Sequence, residues 1–141
     1  MPSSSIPAVR ALARVSRILE RASGDLSLAD YRVLSAIAEG EGRASRLAAR
    51  LTLGKPAISS SVDSLVRRGL LLKSHVDGDQ RATALSLTAE GEAVLGAAEA
   101  HMLLRLEAVC AKTADPAATM AAIASLGPAI EAVVAEREVT A

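Results

Sequence analysis

The amino-acid sequence predicts a mainly α-helical protein that carries one small β-hairpin. Apolar residues recur every three or four positions over most of the chain, which is the period of a helix with one buried face. Alanine supplies about a fifth of the 141 residues, and there is one tyrosine with no phenylalanine or tryptophan. Such a composition favours closely packed helices. The period changes once, between residues 70 and 87, where short runs typical of strands flank turn-forming residues.

The first helix is predicted over about residues 6–21. Leu12, Val15 and Leu19 recur at spacings of three and four, which places them on one apolar stripe. Gly24, shortly beyond the stripe, is a typical helix terminator. The arginines of this segment lie on its other faces, so the stripe is the surface that needs a packing partner.

A second helix is predicted to begin at residue 28 and to end before Gly40. Ser27 is followed three residues later by Asp30, a spacing that lets side chains accept from free backbone N–H groups at a helix start. Tyr31 then falls on the inward face of this helix.

Two shorter helices joined by a tight turn are predicted next. The first covers about residues 44–51, and the second begins near Lys55 and ends at Gly69. Gly54 lies in the turn between them, and Pro56 occupies the first turn of the second helix, where its missing N–H costs nothing. Two short helices joined in this way form a helix-turn-helix.

A β-hairpin is predicted directly after the helix-turn-helix. Residues 70–76 are rich in large aliphatic side chains, and residues 83–87 alternate between apolar and polar positions, so each predicts a strand. The residues Asp77-Gly78-Asp79-Gln80 between them are typical of a turn. A hairpin at this place produces the layout of a winged helix.

The remainder of the chain is predicted to be helical. Thr88 is expected to cap a long helix that runs to about residue 112. Residues 115–116 open a last helical stretch, which the Gly-Pro pair at 127–128 should break near its middle. No apolar run approaches the roughly 18 residues of a membrane span, so no membrane partner is expected. The sequence start lacks the features of a signal peptide, so a cytoplasmic protein is expected.

The chain is predicted to form a single domain over residues 1–141, with the winged helix-turn-helix at about residues 26–88. The helices at about residues 6–22 and 89–139 are too apolar to stand alone in solvent. Their economical partner is a second copy of the chain, because twofold dimers are the commonest oligomers. The expected dimerisation residues are Leu12, Val15, Leu19, Ile123, Ile130 and Val134.

The formal net charge of zero conceals an asymmetry along the chain. Residues 43–81 hold eight basic and three acidic side chains, whereas residues 82–141 hold three basic and eight acidic ones. A basic segment that contains a helix-turn-helix favours a polyanion-binding face on an otherwise neutral molecule.

Four short motifs follow one another along the chain. They are LSLADYRVL at residues 26–34, RLAARL at 46–51, LVRRGL at 65–70, and a hairpin signature with DxRA at 79–82 and LTxxG at 87–91. In this order and at this spacing they resemble the MarR family of transcriptional regulators, and the resemblance covers about residues 8–140 with no obvious insertion.

The resemblance implies a dimeric winged-helix regulator, expected to be a repressor, that binds double-stranded DNA at a pseudo-palindromic operator. Many members of the family bind small phenolic or other apolar compounds between the dimer region and the lobes. Because few polar residues lie in the helices that would line such a pocket, an apolar ligand is expected here. The chain departs from the family at Ser59-Ser60-Ser61, Lys73 and Gln80, where arginines are common. Fewer arginines mean fewer bidentate contacts to guanine or phosphate.

The residues expected to contact DNA lie in the helix-turn-helix and the wing. Ser59 and Ser60 are expected to meet base edges, while nearby basic side chains suit phosphates. Arg67 could instead interact with the end of its own helix. Arg81 at the wing tip is expected to enter a minor groove, with Asp79 holding its guanidinium. The full set is Arg43, Arg46, Arg50, Lys55, Ala57, Ser59, Ser60, Ser64, Arg67, Lys73, Asp79 and Arg81.

No enzyme activity, metal site or cofactor is expected. The sequence has no evident nucleophile–base pair or glycine-rich phosphate loop. Cys110, His75 and His101 lie too far apart in sequence to suggest a metal site. Cys110 follows apolar residues late in a helix, away from the cationic setting of a reactive thiolate, so a buried structural thiol is expected. Two alternatives stay open: a redox-sensing regulator that uses Cys110, and a winged-helix dimer that serves as a protein-interaction module.

Overall fold

The computed structural model describes residues 2–76 and 79–140, with side chains for residues 5–75 and 83–140. The elements in chain order are α1 Pro2–Ala22, α2 Leu28–Ala38, α3 Ala44–Leu51, α4 Lys55–Arg67, β1 Leu71–Val76, β2 Asp79–Leu87, α5 Ala89–Cys110, α6 Pro116–Ala124 and α7 Leu126–Thr140. A mainly helical chain with an antiparallel hairpin confirms the fold class that the sequence predicts. We call α2, α3, α4 and the β1–β2 wing the lobe, and α1, α5, α6 and α7 the arm.

Local interactions begin α2 and α5 and end α3 where the sequence predicts. The Ser27 Oγ accepts from the backbone N–H of Asp30 at 3.0 Å, which caps α2. The Thr88 Oγ1 accepts from the N–H of Gly91 at 2.9 Å, which caps α5. Thr52 has a left-handed backbone with φ 54°, so α3 stops there and the chain turns tightly into α4.

The starts of α1 and β2 differ from the sequence prediction. The helix α1 begins at Pro2 rather than near residue 6, because an apolar stripe marks a packing face and not the start of a helix. The strand β2 begins at Asp79, so Asp79 and Gln80 belong to the strand rather than to the predicted four-residue turn. The remaining turn residues, Asp77 and Gly78, lie outside the described part of the chain.

The lobe encloses a continuous aliphatic core. Its completely buried side chains come from every layer: Val33 and Leu34 from α2, Leu47 from α3, Leu65 from α4 and Leu71 from β1. Further apolar side chains of α5 extend this core toward the arm. Burial of each such side chain contributes about 1.5–3 kcal/mol, which holds the helix-turn-helix and wing in one fixed arrangement.

The wing is attached to the start of α3 by additional backbone pairing. In the hairpin, Leu71 pairs with Leu87 and Lys73 with Leu85. The N–H of Leu85 also donates to the carbonyl of Gly42 at 2.7 Å, and the backbone of Arg43 bridges that of Ala84. The segment before α3 therefore acts as a short third strand, which the sequence pattern does not predict because it is only two residues long.

The C-terminal helices confirm the predicted break but shift its position. The helix α6 ends at Ala124 and α7 begins at Leu126, whereas the sequence places the break at residues 127–128. Pro128 cannot donate to the carbonyl of Ala124, and its ring would clash with that carbonyl, so a continuous helix fails at this point. The proline itself lies in the first turn of α7, where it is tolerated.

The helical stretch Pro116–Thr140 contradicts the expectation that no segment resembles a membrane span. Its 25 residues include an 18-residue window of mean hydropathy 1.6, so length and composition alone would allow it to cross a membrane. The prediction was wrong because it looked for runs of large apolar residues, whereas this segment combines many alanines with few charges. None of this window is buried within the chain.

Candidate nucleic-acid interface

The helix α4 is held in the lobe by one face and presents the other to solvent. Ile58, Val62 and Leu65 lie in the core, at the helical spacing of a single stripe. Ser59 and Ser60 are exposed on the other side, as expected for residues that meet base edges. Ser61 is buried, so the third serine of the run packs inward. Of the other residues expected to contact DNA, Ala57 is exposed and Ser64 half-buried.

Two open grooves run along the flanks of α4. One, of about 460 Å³, lies between α3, α4 and the wing and is lined in part by Lys55 and Ser59. The other, of about 530 Å³, lies between α4 and β1 and is lined in part by Ser60 and Arg67. The two neighbouring serines therefore open onto opposite flanks of the helix.

An ion pair links the exposed face of α4 to the wing. The Nζ of Lys73 lies 3.8 Å from the Oδ1 of Asp63, and the two residues line both grooves. Both side chains are at least half exposed, so the pair contributes about 0–1 kcal/mol to stability. Its greater effect is on charge, because the carboxylate of Asp63 reduces the positive potential where Lys73 is expected to approach DNA.

Four of the expected phosphate contacts are exposed and available. Arg43 and Arg46 lie at the start of α3, Lys55 is the first residue of α4, and Arg67 is its last. Among the described side chains, no carboxylate lies within 4.0 Å of these four cations. They can therefore approach phosphates without first breaking an ion pair.

Arg50 is placed differently from the other cations. Its Nη2 lies 2.7 Å from the Oε2 of Glu39, and its Nε lies 3.5 Å from the Oε1 of Glu131 in α7. It lines a cleft of about 620 Å³ between α2, α3 and the start of α7, away from the grooves beside α4. The structure thus pairs Arg50 with carboxylates at the end of α2 and in α7 and does not leave it among the unpaired cations, although Arg46 lies one turn earlier on the same helix.

The fold is shared with solved transcriptional regulators. The apo form of MarR from E. coli is 21% identical, with a TM-score of 0.72 over 86% of this chain and 93% of that chain. PcaV from Streptomyces coelicolor, solved with its natural ligand, is 26% identical, with a TM-score of 0.69 over 84% and 85%. MOSR from M. tuberculosis, solved with DNA, is 29% identical, with a TM-score of 0.60 over 93% and 96%. Among curated proteins, none is significantly similar to this sequence.

The sequence model of the MarR family matches residues 24–82, which span the helix-turn-helix and most of the wing. Over these residues the chain resembles the MarR family of transcriptional regulators. Regulators of the MarR family are non-enzymatic DNA-binding proteins, and the expectation that the chain is not an enzyme agrees with this similarity.

The LTxxG motif at residues 87–91 connects the lobe to the arm. The Thr88 hydroxyl donates to the carbonyl of Gly69 at 2.7 Å, and the Thr88 N–H donates to that of Leu70 at 3.1 Å. A Cβ on Gly91 would overlap the carbonyl oxygen of Leu70 and lie 3.0 Å from its carbon, so only glycine lets α5 approach this closely. The sequence motif by itself does not indicate this role, which only the packing of α5 on Leu70 reveals.

The wing residues Asp79 and Arg81 can be placed only by their backbone. Both lie in β2, and the backbone of Asp79 pairs with that of Val76 after an irregularity in the ladder. Their side chains lie outside the described part of the structure. Their expected contacts with DNA therefore stay predictions.

The residues expected to form a dimer fall into three groups. Leu12 and Ile130 are exposed, as an unpartnered surface requires, and Val15 and Ile123 are half-buried. Leu19 packs against the core of its own lobe. Val134 lines the space between α7 and α3. Leu19 and Val134 are half-buried within their own chain, so each keeps an exposed part, and their contact with a partner stays a prediction.

Two further side chains bear on the sequence predictions. The Cys110 thiol is buried at 2% exposure, as expected for a structural cysteine. The Tyr31 hydroxyl donates to the Oε2 of Glu99 at 2.9 Å and so links α2 to α5. Burial and the neighbouring Glu99 carboxylate raise the pKa of Tyr31 well above its ordinary value of 10.0.

Proposed function

We propose that the protein is a sequence-specific transcriptional repressor that binds a pseudo-palindromic operator in double-stranded DNA as a cytoplasmic homodimer. The observation that carries this proposal is the exposed serine face of α4. It lies between two grooves and among four unpaired cations of the described lobe. A helix of this kind enters a major groove with its N-terminal residues toward the bases.

The proposal divides the exposed residues by role. Ser59 and Ser60 contact base edges on opposite flanks of α4, and Ala57 and Ser64 allow the helix to sit deep in the groove. Arg43, Arg46, Lys55 and Arg67 bind phosphates, which fixes the register without reading sequence. Lys73 approaches the backbone from the wing, while Arg81 enters a minor groove with Asp79 as its guide.

The arm forms the dimer in this proposal. The single domain of residues 1–141 divides into a DNA-binding lobe at about 26–88 and a dimerisation region at about 6–22 and 89–139. Large apolar side chains stand exposed along these helices. They are Ile6, Val9, Leu12, Ile18, Leu103, Leu104, Val109, Leu126, Ile130, Val133 and Val139. A second copy would bury this surface and would account for the membrane-like hydropathy of α6 and α7.

A small ligand that releases DNA is a second element of the proposal. The cleft of about 620 Å³ between α2, α3 and the start of α7 joins the lobe to the arm, where a bound compound would change their relative position. Its charged residues are Arg50, Glu39 and Glu131, so it is more polar than the sequence predicts. The excess of one negative charge disfavours carboxylates and favours an uncharged apolar or phenolic compound.

The test of this function is selection of bound sites from random duplex DNA, followed by binding measurements on the selected operator. Ser60→Ala should change the ranking of operator variants, because it removes a group that reads a base. Arg46→Ala should weaken binding to all variants by a similar factor and lower the salt slope by roughly 0.9 for each phosphate that is no longer bound. Recovery of no palindromic motif would overturn the proposal and favour the protein-interaction module.

A further inference from the structure

Arg50 has two carboxylate partners that belong to different parts of the molecule. Glu39 closes the end of α2 within the lobe, and Glu131 lies in the second turn of α7 within the arm. The guanidinium reaches both, through Nη2 at 2.7 Å and through Nε at 3.5 Å. The Arg50 side chain is 21% exposed, whereas Glu39 and Glu131 are 66% and 56% exposed, so the guanidinium is partly shielded from solvent and its two partners reach it from the surface.

This pairing argues against a phosphate contact for Arg50. To bind DNA, the guanidinium would have to leave two carboxylates, which would then face each other without a cation between them. The unpaired Arg46, on the same short helix, needs no such exchange. The cost of breaking the pair therefore falls on Arg50 alone among the cations of α3.

The pairing lies at a narrow contact between the helix-turn-helix and the arm. Here α7 meets α3, and open space flanks the contact on both sides. One side is the cleft beside Glu39, and the other is a space of about 420 Å³ lined by Leu53 and Val134. With little packing on either side, an oriented guanidinium with two partners is well placed to determine the angle between α3 and α7.

We propose that Arg50 is a positioning residue that holds the lobe at one angle to the arm and thereby sets the half-site spacing that the dimer accepts. This inference rests on the proposed function. In a dimer joined through its arms, the two α4 helices can enter successive major grooves only if their separation matches one helical turn of DNA or a multiple of it. Loosening the contact between α3 and α7 allows other separations.

Simple electrostatics and a positioning role of Arg50 predict different effects of replacing Glu131 on DNA binding. Replacing Glu131 by Gln removes a negative charge from the protein, which by itself should strengthen binding to every duplex. If Glu131 instead helps Arg50 to hold the lobe, the same substitution should reduce discrimination between spacings. The first expectation is a uniform change in affinity and the second is a change in spacing preference, so one series of binding curves separates them.

The experiment uses the full-length protein and duplexes that carry the selected half-sites at the preferred spacing, and at one and two base pairs more or fewer. The variants are Arg50→Gln, Glu131→Gln and Arg50→Lys, with Arg46→Gln as the matched control on α3. Arg50→Gln and Glu131→Gln should each reduce the preference for the best spacing by roughly fivefold, the factor for an ion pair of this kind, with the salt slope unchanged. Arg50→Lys should retain part of the preference.

The control variant Arg46→Gln separates a loss of phosphate contact from a loss of positioning. Arg46→Gln should lower affinity at every spacing by one factor, reduce the salt slope, and leave the spacing preference intact. If Arg50→Gln behaves in the same way, or if Glu131→Gln keeps the full preference, Arg50 is not a positioning residue. An unmodified protein that binds with a clear spacing preference supports the proposed function even if these variants do not support the inference. An unmodified protein that binds no duplex overturns both.

Discussion

The lobe and the arm are built from similar side chains but differ in how those side chains are covered. In the lobe, leucines and valines from α2, α3, α4 and β1 are completely buried within one chain. In the arm, α6 and α7 contain no buried residue, and Leu104 of α5 is 65% exposed. The lobe can therefore fold around its own core, whereas the arm requires a surface that this single chain does not provide.

This difference shows why composition alone does not separate a core helix from an interface helix. Alanine and aliphatic residues recur at helical spacing in both regions. In the lobe, three helices and a hairpin surround them, whereas in the arm α1 contacts α5, α5 contacts α6 and α6 contacts α7, and many large apolar side chains stay exposed. A helix stripe thus specifies that a partner is needed, and the tertiary arrangement decides whether the chain itself supplies it.

The largest expected effect is on the open face of the arm. Leu104→Glu should dissociate the dimer, because it places a charge in the apolar dimer interface. Burial of one leucine contributes about 1.5–3 kcal/mol to association, and a twofold dimer buries Leu104 in both copies. Leu72→Glu on the wing is the matched control, since Leu72 is exposed to a similar 60% but lies on the lobe. Sedimentation at micromolar concentration should give a monomer for the first variant only. If both variants stay dimeric, or if the unmodified protein is a monomer, the arm does not form the dimer interface.

The next effect concerns the junction between the two regions. Gly91→Ala should lower the free energy of unfolding by about 1–3 kcal/mol, because the new methyl group overlaps the Leu70 carbonyl. Gly96→Ala, five residues later in α5, has no atom within 4 Å and should stabilise the helix by up to about 1 kcal/mol. Urea unfolding at a fixed protein concentration measures both. Equal changes in the free energy of unfolding for the two variants would show that the close contact between α5 and Leu70 does not contribute to stability.

A smaller effect is expected at the hydrogen bond from Tyr31 to Glu99, which also joins lobe to arm. Because the pKa of Tyr31 is raised in the folded state, the unfolded chain loses the phenolic proton more readily. The contribution of Tyr31 to stability should therefore be fully present below pH 10, its ordinary pKa, and be lost as the pH rises above that value. Tyr31→Phe should cost about 1 kcal/mol at neutral pH and remove this dependence on pH.

Absorbance can follow the ionisation directly, since Tyr31 is the single tyrosine of the chain. The folded protein should titrate above the unfolded one. A tyrosine that ionises at its ordinary pKa in the folded protein would contradict the shielding by α5.

The smallest effect is expected at Cys110, which the sequence leaves open as a redox sensor. Since the thiol is buried, a thiol reagent should label it only as fast as the arm opens, and mild peroxide should leave operator binding unchanged. The serine variant Cys110→Ser is the control for any peroxide effect on other residues. Peroxide that abolishes binding of the unmodified protein but not of this variant would establish the redox alternative.

Much of the fold can be read from local signals in the sequence. Ser27 and Thr88 cap helices by accepting hydrogen bonds from N–H groups three residues away, and α3 ends at the turn Thr52-Leu53-Gly54. Such interactions depend on neighbours in the chain, so the order of helices and strands follows from residue spacing. The exposed serine face of α4 follows in the same way from the stripe of Ile58, Val62 and Leu65.

The direction of side chains toward distant partners was decided only by the tertiary structure. Arg50 meets Glu39 and Glu131, Asp63 meets Lys73, and Gly91 meets Leu70, all across separate elements. Helical spacing specifies the angular position of a side chain on its own helix, but the neighbour at that angle depends on how the helices cross. For that reason the sequence alone determined which faces of this protein are apolar, basic or small, and the packing of the helices and strands against one another determined what each face contacts.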